Sequence, residues 1–159
     1  MSECGSCMHA AEGCGERCPV CGTNGIVVPV ETVRSLVKGK SVLEDFVYKI
    51  CTTPGCDVSY FSCENVCFFL SDVSVPIWFK RRNQRYMICY CKDIDLFQIM
   101  EAVTDLDGSS NKEEILNHLG KSHLSEEDCL RENPLGRTCE KLFQNAIEYA
   151  CKKYAESKD

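Results

Sequence analysis

The chain has 159 residues, a net charge of −6 and a pI of about 5.1. That length suits one ordinary domain or two small ones, and the acidic balance argues against charge-driven binding of nucleic acid. Fourteen cysteines are the abnormal feature, a density that points to a secreted disulfide scaffold or to a metal protein. Met1–Cys7 offers neither a basic nor an apolar leader region, and no apolar run approaches a membrane span. The expectation is therefore a reducing, cytoplasmic setting in which clustered thiols hold metal.

Residues 1–17 are small, polar and rich in Cys and Gly, and read as a flexible tail. Residues 18–75 read as a small β-rich domain. Strand signals fall at Ile26–Val30, Phe46–Cys51, Val58–Ser62, Val66–Leu70 and, at its edge, Ile77–Phe79, with a short helix over Thr32–Val37. So thin a domain needs a staple. Residues 76–159 read as helical. Leu96, Ile99, Met100 and Val103 share one helix face after a cap at Asp93 or Asp95. Lys112–Leu119 and a turn from Ser125 follow, and Thr138–Lys153 forms the last helix. The predicted fold class is α+β. The basic stretch from Lys80 to Arg85 reads as a solvated linker, with a docking patch for an acidic partner as the alternative.

Cys18 and Cys21 form a C-x2-C knuckle, and after a gap of 29 residues Cys51 and Cys56 form a C-x4-C pair. Two tight-turn pairs supply four soft ligands for tetrahedral zinc at small cost in chain entropy, and four thiolates leave no open position, so such a zinc is structural. A mononuclear iron suits the same cage. Cys89 and Cys91, in "ICYCK", are too close for an unstrained disulfide but suit one metal centre. Cys129 and Cys139 follow, the latter where the last helix begins. These four match the thiolate count of a 2Fe–2S cluster, with the helix N-terminus favouring an anionic centre. Pro134 would fix the intervening loop and Gly136 would let backbone approach the cluster closely. Ordinary buried thiols at 129 and 139 are the competing reading.

"ICYCK" before a helix, then Cys129 followed by Pro134-Leu135-Gly136-Arg137-Thr138-Cys139 and a terminal helix, resembles the ferredoxin domain related to bacterioferritin-associated ferredoxin. The upstream "CPVC" and "ICTTPGCDVSYFS" resemble the zinc-binding domain that precedes it in long-form CopZ copper chaperones. The resemblance covers residues 18–155. It implies zinc at Cys18, Cys21, Cys51 and Cys56, and a 2Fe–2S cluster at Cys89, Cys91, Cys129 and Cys139. The last pair is spaced more widely than in the short ferredoxins. The copper-transfer domain with its M-x-C-x-x-C loop does not appear in these 159 residues.

Cys4, Cys7 and Cys14, with His9, form a candidate soft-metal tail suited to Cu(I), standing in for that loop. Cys63 and Cys67 read as one face of a strand, either core thiols or a further metal or thiol site. Cys151 reads as a core residue, and His118 and His123 as exposed or capping groups. No Ser–His–Asp set, phosphate loop or carboxylate pair is present, so hydrolase chemistry is not expected and electron transfer or metallochaperone work fits better than turnover catalysis. The functional expectation is CopZ-like metal handling with one-electron reduction of Cu(II) to Cu(I), serving a metal-transport or redox partner. The alternatives are an electron-transfer or docking module that binds no copper, and a cluster-based sensor.

Overall fold

A computed structural model describes residues 16–63, 66–81, 85–122 and 126–159. Cys4, Cys7, His9 and Cys14 of the expected soft-metal tail lie outside them, as does His123. The molecule mixes sheet and helix. Strands β1 (Ile26–Val28), β2 (Tyr48–Ile50), β3 (Val58–Phe61) and β4 (Cys67–Phe69) form an antiparallel sheet in sequential order. Ile26 faces Ile50, Val28 faces Tyr48 and Ile50 faces Tyr60, so large apolar and aromatic side chains meet across neighbouring strands.

Pro29 ends β1 and caps helix α1 (Val30–Leu36), a position where its missing N–H costs nothing. The helix turns Thr32, Val33 and Leu36 inward. Val33 joins Val28, Tyr48, Ile50, Tyr60, Phe68 and Ile77 in one core. A smaller cluster at the end of the sheet holds Cys18, Cys51, Cys56, Val58 and Phe61.

Ile77–Phe79 is not a strand. Trp78 and Phe79 lie in a turn with their rings edge to face at 5.0 Å. The next two elements are short: β5 (Met87–Cys89) pairs with β6 (Ile94–Asp95), and Cys91 sits in the turn between them. Asp93 closes that turn at φ 51°, a left-handed conformation Asp tolerates better than most residues. Helix α2 (Leu96–Asp105) starts with a reciprocal cap: Asp95 Oδ1 accepts from the Gln98 N–H and Gln98 Oε1 accepts from the Asp95 N–H, both at 2.9 Å. It ends where the Gly108 N–H bonds the Val103 carbonyl at 2.8 Å, with Gly108 at φ 86°.

Helix α3 (Lys112–His118) is capped by Asn111, whose Oδ1 accepts from the N–H groups of Glu113 and Glu114. Helices α4 (Glu126–Glu132) and α5 (Glu140–Ser157) complete the chain. Phe143, Ala146, Ile147 and Ala150 form the buried stripe of α5, and they pack with Ile99, Ala102 and Val103 of α2 and Ile115 of α3. Cys151 lies at the edge of this second core, half-buried, with Sγ 3.7 Å from the Ser109 carbonyl.

Cys63 and Cys67 do not share a strand. Cys63 lies in the turn after β3 and Cys67 opens β4, opposite Phe61. A spacing of four matches a strand face only where the chain stays extended, and here it reverses.

Gly25 marks the tightest approach in the sheet. A Cβ there would lie 2.6 Å from Phe61 Cζ and 2.8 Å from Lys49 Cβ. Gly25→Ala is expected to destabilise the fold by about 1–3 kcal/mol through overpacking, read as a lower denaturant midpoint at unchanged zinc content.

Candidate metal centres

The first centre is assembled by two reversals of the chain. The Cys18–Gly22 turn is closed by the Gly22 N–H on the Cys18 carbonyl at 2.9 Å, and Gly22 takes φ 74°. The Thr53–Cys56 turn is closed by the Cys56 N–H on the Thr53 carbonyl at 3.2 Å. Pairing of β1 with β2 brings the two turns together. The four sulfurs of Cys18, Cys21, Cys51 and Cys56 all lie within 4.8 Å of one another. Cys18 Sγ is 3.8 Å from Cys56 Sγ, and Cys21 Sγ is 3.7 Å from Cys51 Sγ. Zn–S bonds of about 2.3 Å in a tetrahedron require S···S edges of about 3.8 Å. The donor set and its spacing thus fit zinc.

Backbone amides face the sulfurs. Burial pushes the Cys18 thiol up to about 12, although the N–H groups of Cys21 and Val20 point at it and pull the other way. Burial likewise raises Cys56, against the Val58 N–H. Cys21 is the exposed member. Burial is the largest single influence and raises it, but hydrogen bonding with Thr53 Oγ1 at 3.1 Å, with Thr23 and with Cys18 together outweighs that and brings it down to about 6. Cys21 is thus the sulfur most readily held as thiolate, and the buried thiols would release their protons to solvent on binding a metal.

Lys80 is a contributor that sequence reasoning missed. It is 2% exposed rather than part of a solvated linker. Its Nζ donates to the carbonyls of Thr53 at 2.9 Å and Cys56 at 3.1 Å. The ammonium thus braces the second chelating turn and sets a positive charge beside a centre that four thiolates and Zn²⁺ leave at −2. The signal was its place directly after the apolar Ile77-Trp78-Phe79.

The second set also converges. Cys89 and Cys91 place their sulfurs 3.6 Å apart, and Cys91 Sγ is 4.0 Å from Cys129 Sγ. Cys89 and Cys139 are in hydrogen-bond contact, which raises Cys89, with burial adding to it, and lowers Cys139. Burial, then the neighbouring thiols, pushes Cys91 and Cys129 each up to about 11. The Lys92 N–H faces Cys89 sulfur, and the Cys139 N–H faces Cys129 sulfur. The sulfurs are therefore linked pairwise, 89 to 91 and 91 to 129, with Cys139 interacting with Cys89. Among the described residues, the zinc-type set alone has every sulfur within 4.8 Å of every other. Cys89, Cys129 and Cys139 are buried and Cys91 is half-buried. Cys139 caps α5. Gly136 does not face this centre: its close approach is to Pro29 and Thr32 of the sheet half. His118 is exposed and pairs with Asp105 at 3.1 Å, away from either centre.

Residues 15–74 match the family model of the CopZ-type zinc binding domain, and all four sulfurs of the first centre lie inside that span. The X-ray structure of the Archaeoglobus fulgidus CopZ N-terminal domain is similar to the chain with a TM-score of 0.61 and 27% identity, over 81% of this chain and 95% of that one. No curated protein matches the chain. The class is thus a metal-binding protein with a CopZ-like zinc-binding domain and the mixed helix-and-sheet fold of a CopZ N-terminal domain. A four-cysteine cluster inside a zinc-binding domain supports zinc as its metal. Among the described residues no helix is long and apolar enough to cross a membrane.

In the metal-free protein Cys21 is expected to alkylate before Cys18, with a rate that climbs as pH rises through about 6. Thr53→Val should move that rise to higher pH. Iodoacetamide footprinting by mass spectrometry reads both, and faster labelling of Cys18 would contradict the assignment. Lys80→Met is expected to weaken zinc binding about 10–100-fold in chelator competition.

Proposed function

We propose that the protein handles metal with two cysteine centres of different character. Zinc at Cys18, Cys21, Cys51 and Cys56 is structural, because the closed cage leaves no ligand position free and Zn²⁺ has no redox chemistry. Cys89, Cys91, Cys129 and Cys139 hold a 2Fe–2S cluster, which when bound takes up and gives back one electron. The observation that carries this reading is the convergence of these four sulfurs in a set that is not gathered within 4.8 Å as the first four are. Four thiolates, two for each iron, are the count a diiron core needs.

Three of the four sulfurs are buried and half-buried Cys91 lies in the β5–β6 turn, so electrons pass through that turn. Backbone N–H groups of Lys92 and Cys139 point at cluster sulfurs and stabilise the added negative charge. In CopZ-like copper handling one electron converts one Cu(II) to Cu(I), the form that soft thiolates hold. The reduced cluster is the electron source and a cellular redox partner restores it. The Cu(I) passes to a metal-transport partner.

Anaerobically purified protein should carry about one zinc and two irons per chain. Reduction should give a spin-half EPR signal, and one Cu(II) reduced per chain should abolish it. Cys89→Ser should lose the iron and keep the zinc, whereas Cys51→Ser should lose the zinc. Protein that takes up zinc but no iron and sulfide under reconstitution would end the redox reading.

A further inference from the structure

Helix α4 stops at a proline, and the sheet half makes good the loss. In a continued helix the Leu130 carbonyl would accept from the N–H of residue 134. Residue 134 is proline and has none. Thr32 Oγ1, on α1, donates to that carbonyl instead, at 2.5 Å. Pro134 itself is buried, so its carbonyl also needs a donor. Tyr60, on β3, donates its hydroxyl to it at 2.7 Å. Thr32 and Tyr60 are both 0% exposed, so water cannot substitute for either.

Gly136 completes the fit. It takes φ +63°, and a Cβ there would lie 2.4 Å from Thr32 Oγ1 and 2.6 Å from Pro29 Cδ. The exposed pair of Arg131 and Glu31, at 3.2 Å, spans the same contact but adds little at a solvated surface. The 129–139 segment carries two of the four sulfurs of the second centre. Its backbone is thus satisfied by two hydroxyls that lie about seventy to a hundred residues away in sequence. Tyr60 in turn sits opposite Ile50, next to Cys51, and four residues after Cys56. The second pair of the zinc cage and the Tyr60 hydroxyl are thus built on the same two strands, β2 and β3.

We infer that Thr32 and Tyr60 are positioning residues for the second cysteine centre: the Thr32 hydroxyl replaces the hydrogen bond that Pro134 denies the Leu130 carbonyl, the Tyr60 hydroxyl satisfies the buried Pro134 carbonyl, and together they set Cys129 and Cys139 against Cys89 and Cys91. For iron the inference rests on the function proposed above; for the placement of the segment it does not.

The test uses the full zinc-loaded chain with Thr32→Val, Thr32→Ser and Tyr60→Phe. Hydrogen exchange at Asn133 and Gly136, whose amides bond the carbonyls of Cys129 and Asn133, should quicken on the order of tenfold in Thr32→Val and Tyr60→Phe. Exchange in α2 and α5 should stay as in the parent. After reconstitution with iron and sulfide, both variants should lose iron to a chelator faster than the parent and show altered visible circular dichroism. Thr32→Ser should restore both readouts. Unchanged exchange at 133 and 136, or a uniform rise that includes α2 and α5, would overturn the inference. If the parent chain takes up no iron, the proposed function falls while the exchange data still decide the positioning role. If Tyr60→Phe does not hold zinc, the Thr32→Val and Thr32→Ser pair decides it.

Discussion

Everything in the first half of the chain depends on four thiols meeting in a space under 5 Å across. Strands of three or four residues with one short helix bury little, and such a unit is marginal without a cross-link. The four sulfurs join the turn before β1 to the turn between β2 and β3, the two places where the sheet would otherwise fray. Phe61 and Val58 pack directly on the cysteines, so metal and core are one cluster rather than a core with a site attached. Lys80 adds the electrostatic balance. A buried ammonium without an ionic partner is costly in an apolar interior, and here it is held by two carbonyls of the chelating turn.

In the second half the helical core of α2, α3 and α5 is apolar and continuous, and it takes in Cys89 and Cys139, with Cys91 packed against it. Cys89 and Cys91 are set by a hairpin whose turn is pinned by Arg85, which bridges Asp93 and Asp95 at 2.9 and 2.8 Å. Cys129 and Cys139 are set by α4 and its proline-terminated loop, which lean on α1 and β3. The sheet half therefore shapes the second centre without supplying a ligand to it. A stapled unit suits that task, since the anchor must be stiffer than the segment it holds.

Near the hairpin lies an apolar cavity of about 440 Å³, lined by Trp78, Tyr86, Ile88, Leu96, Leu142 and Tyr149 among others. Ile88 of its wall adjoins Cys89, and Tyr90 from the same turn donates its hydroxyl to the Pro76 carbonyl at 2.6 Å. The linker between the halves is thereby tied to the chelating hairpin as well as to the zinc turn.

Much of this was legible in the residues. The period-two and period-3.6 patterns located nearly every element, because each buries one face along its own length. Cysteine spacing picked out the close pairs of both sets, because tight-turn pairs are local. A cap at Asp93 or Asp95 was legible for the same reason, and Asp95 supplies it. Three features were not legible. Ile77–Phe79 has strand composition, but its aromatics serve as lids in a turn. Cys63 and Cys67 have strand spacing, but the chain reverses between them. Lys80 and Gly136 looked like linker and cluster-loop residues, and their partners are distant carbonyls and a distant threonine. The sequence by itself determined the close cysteine pairs, the helices and most of the strands, since these follow from neighbours a few residues apart. Only the tertiary structure decided that hydroxyls of the sheet half satisfy the broken end of α4, because hydrogen-bond demand is written locally while its satisfaction depends on what folding brings near.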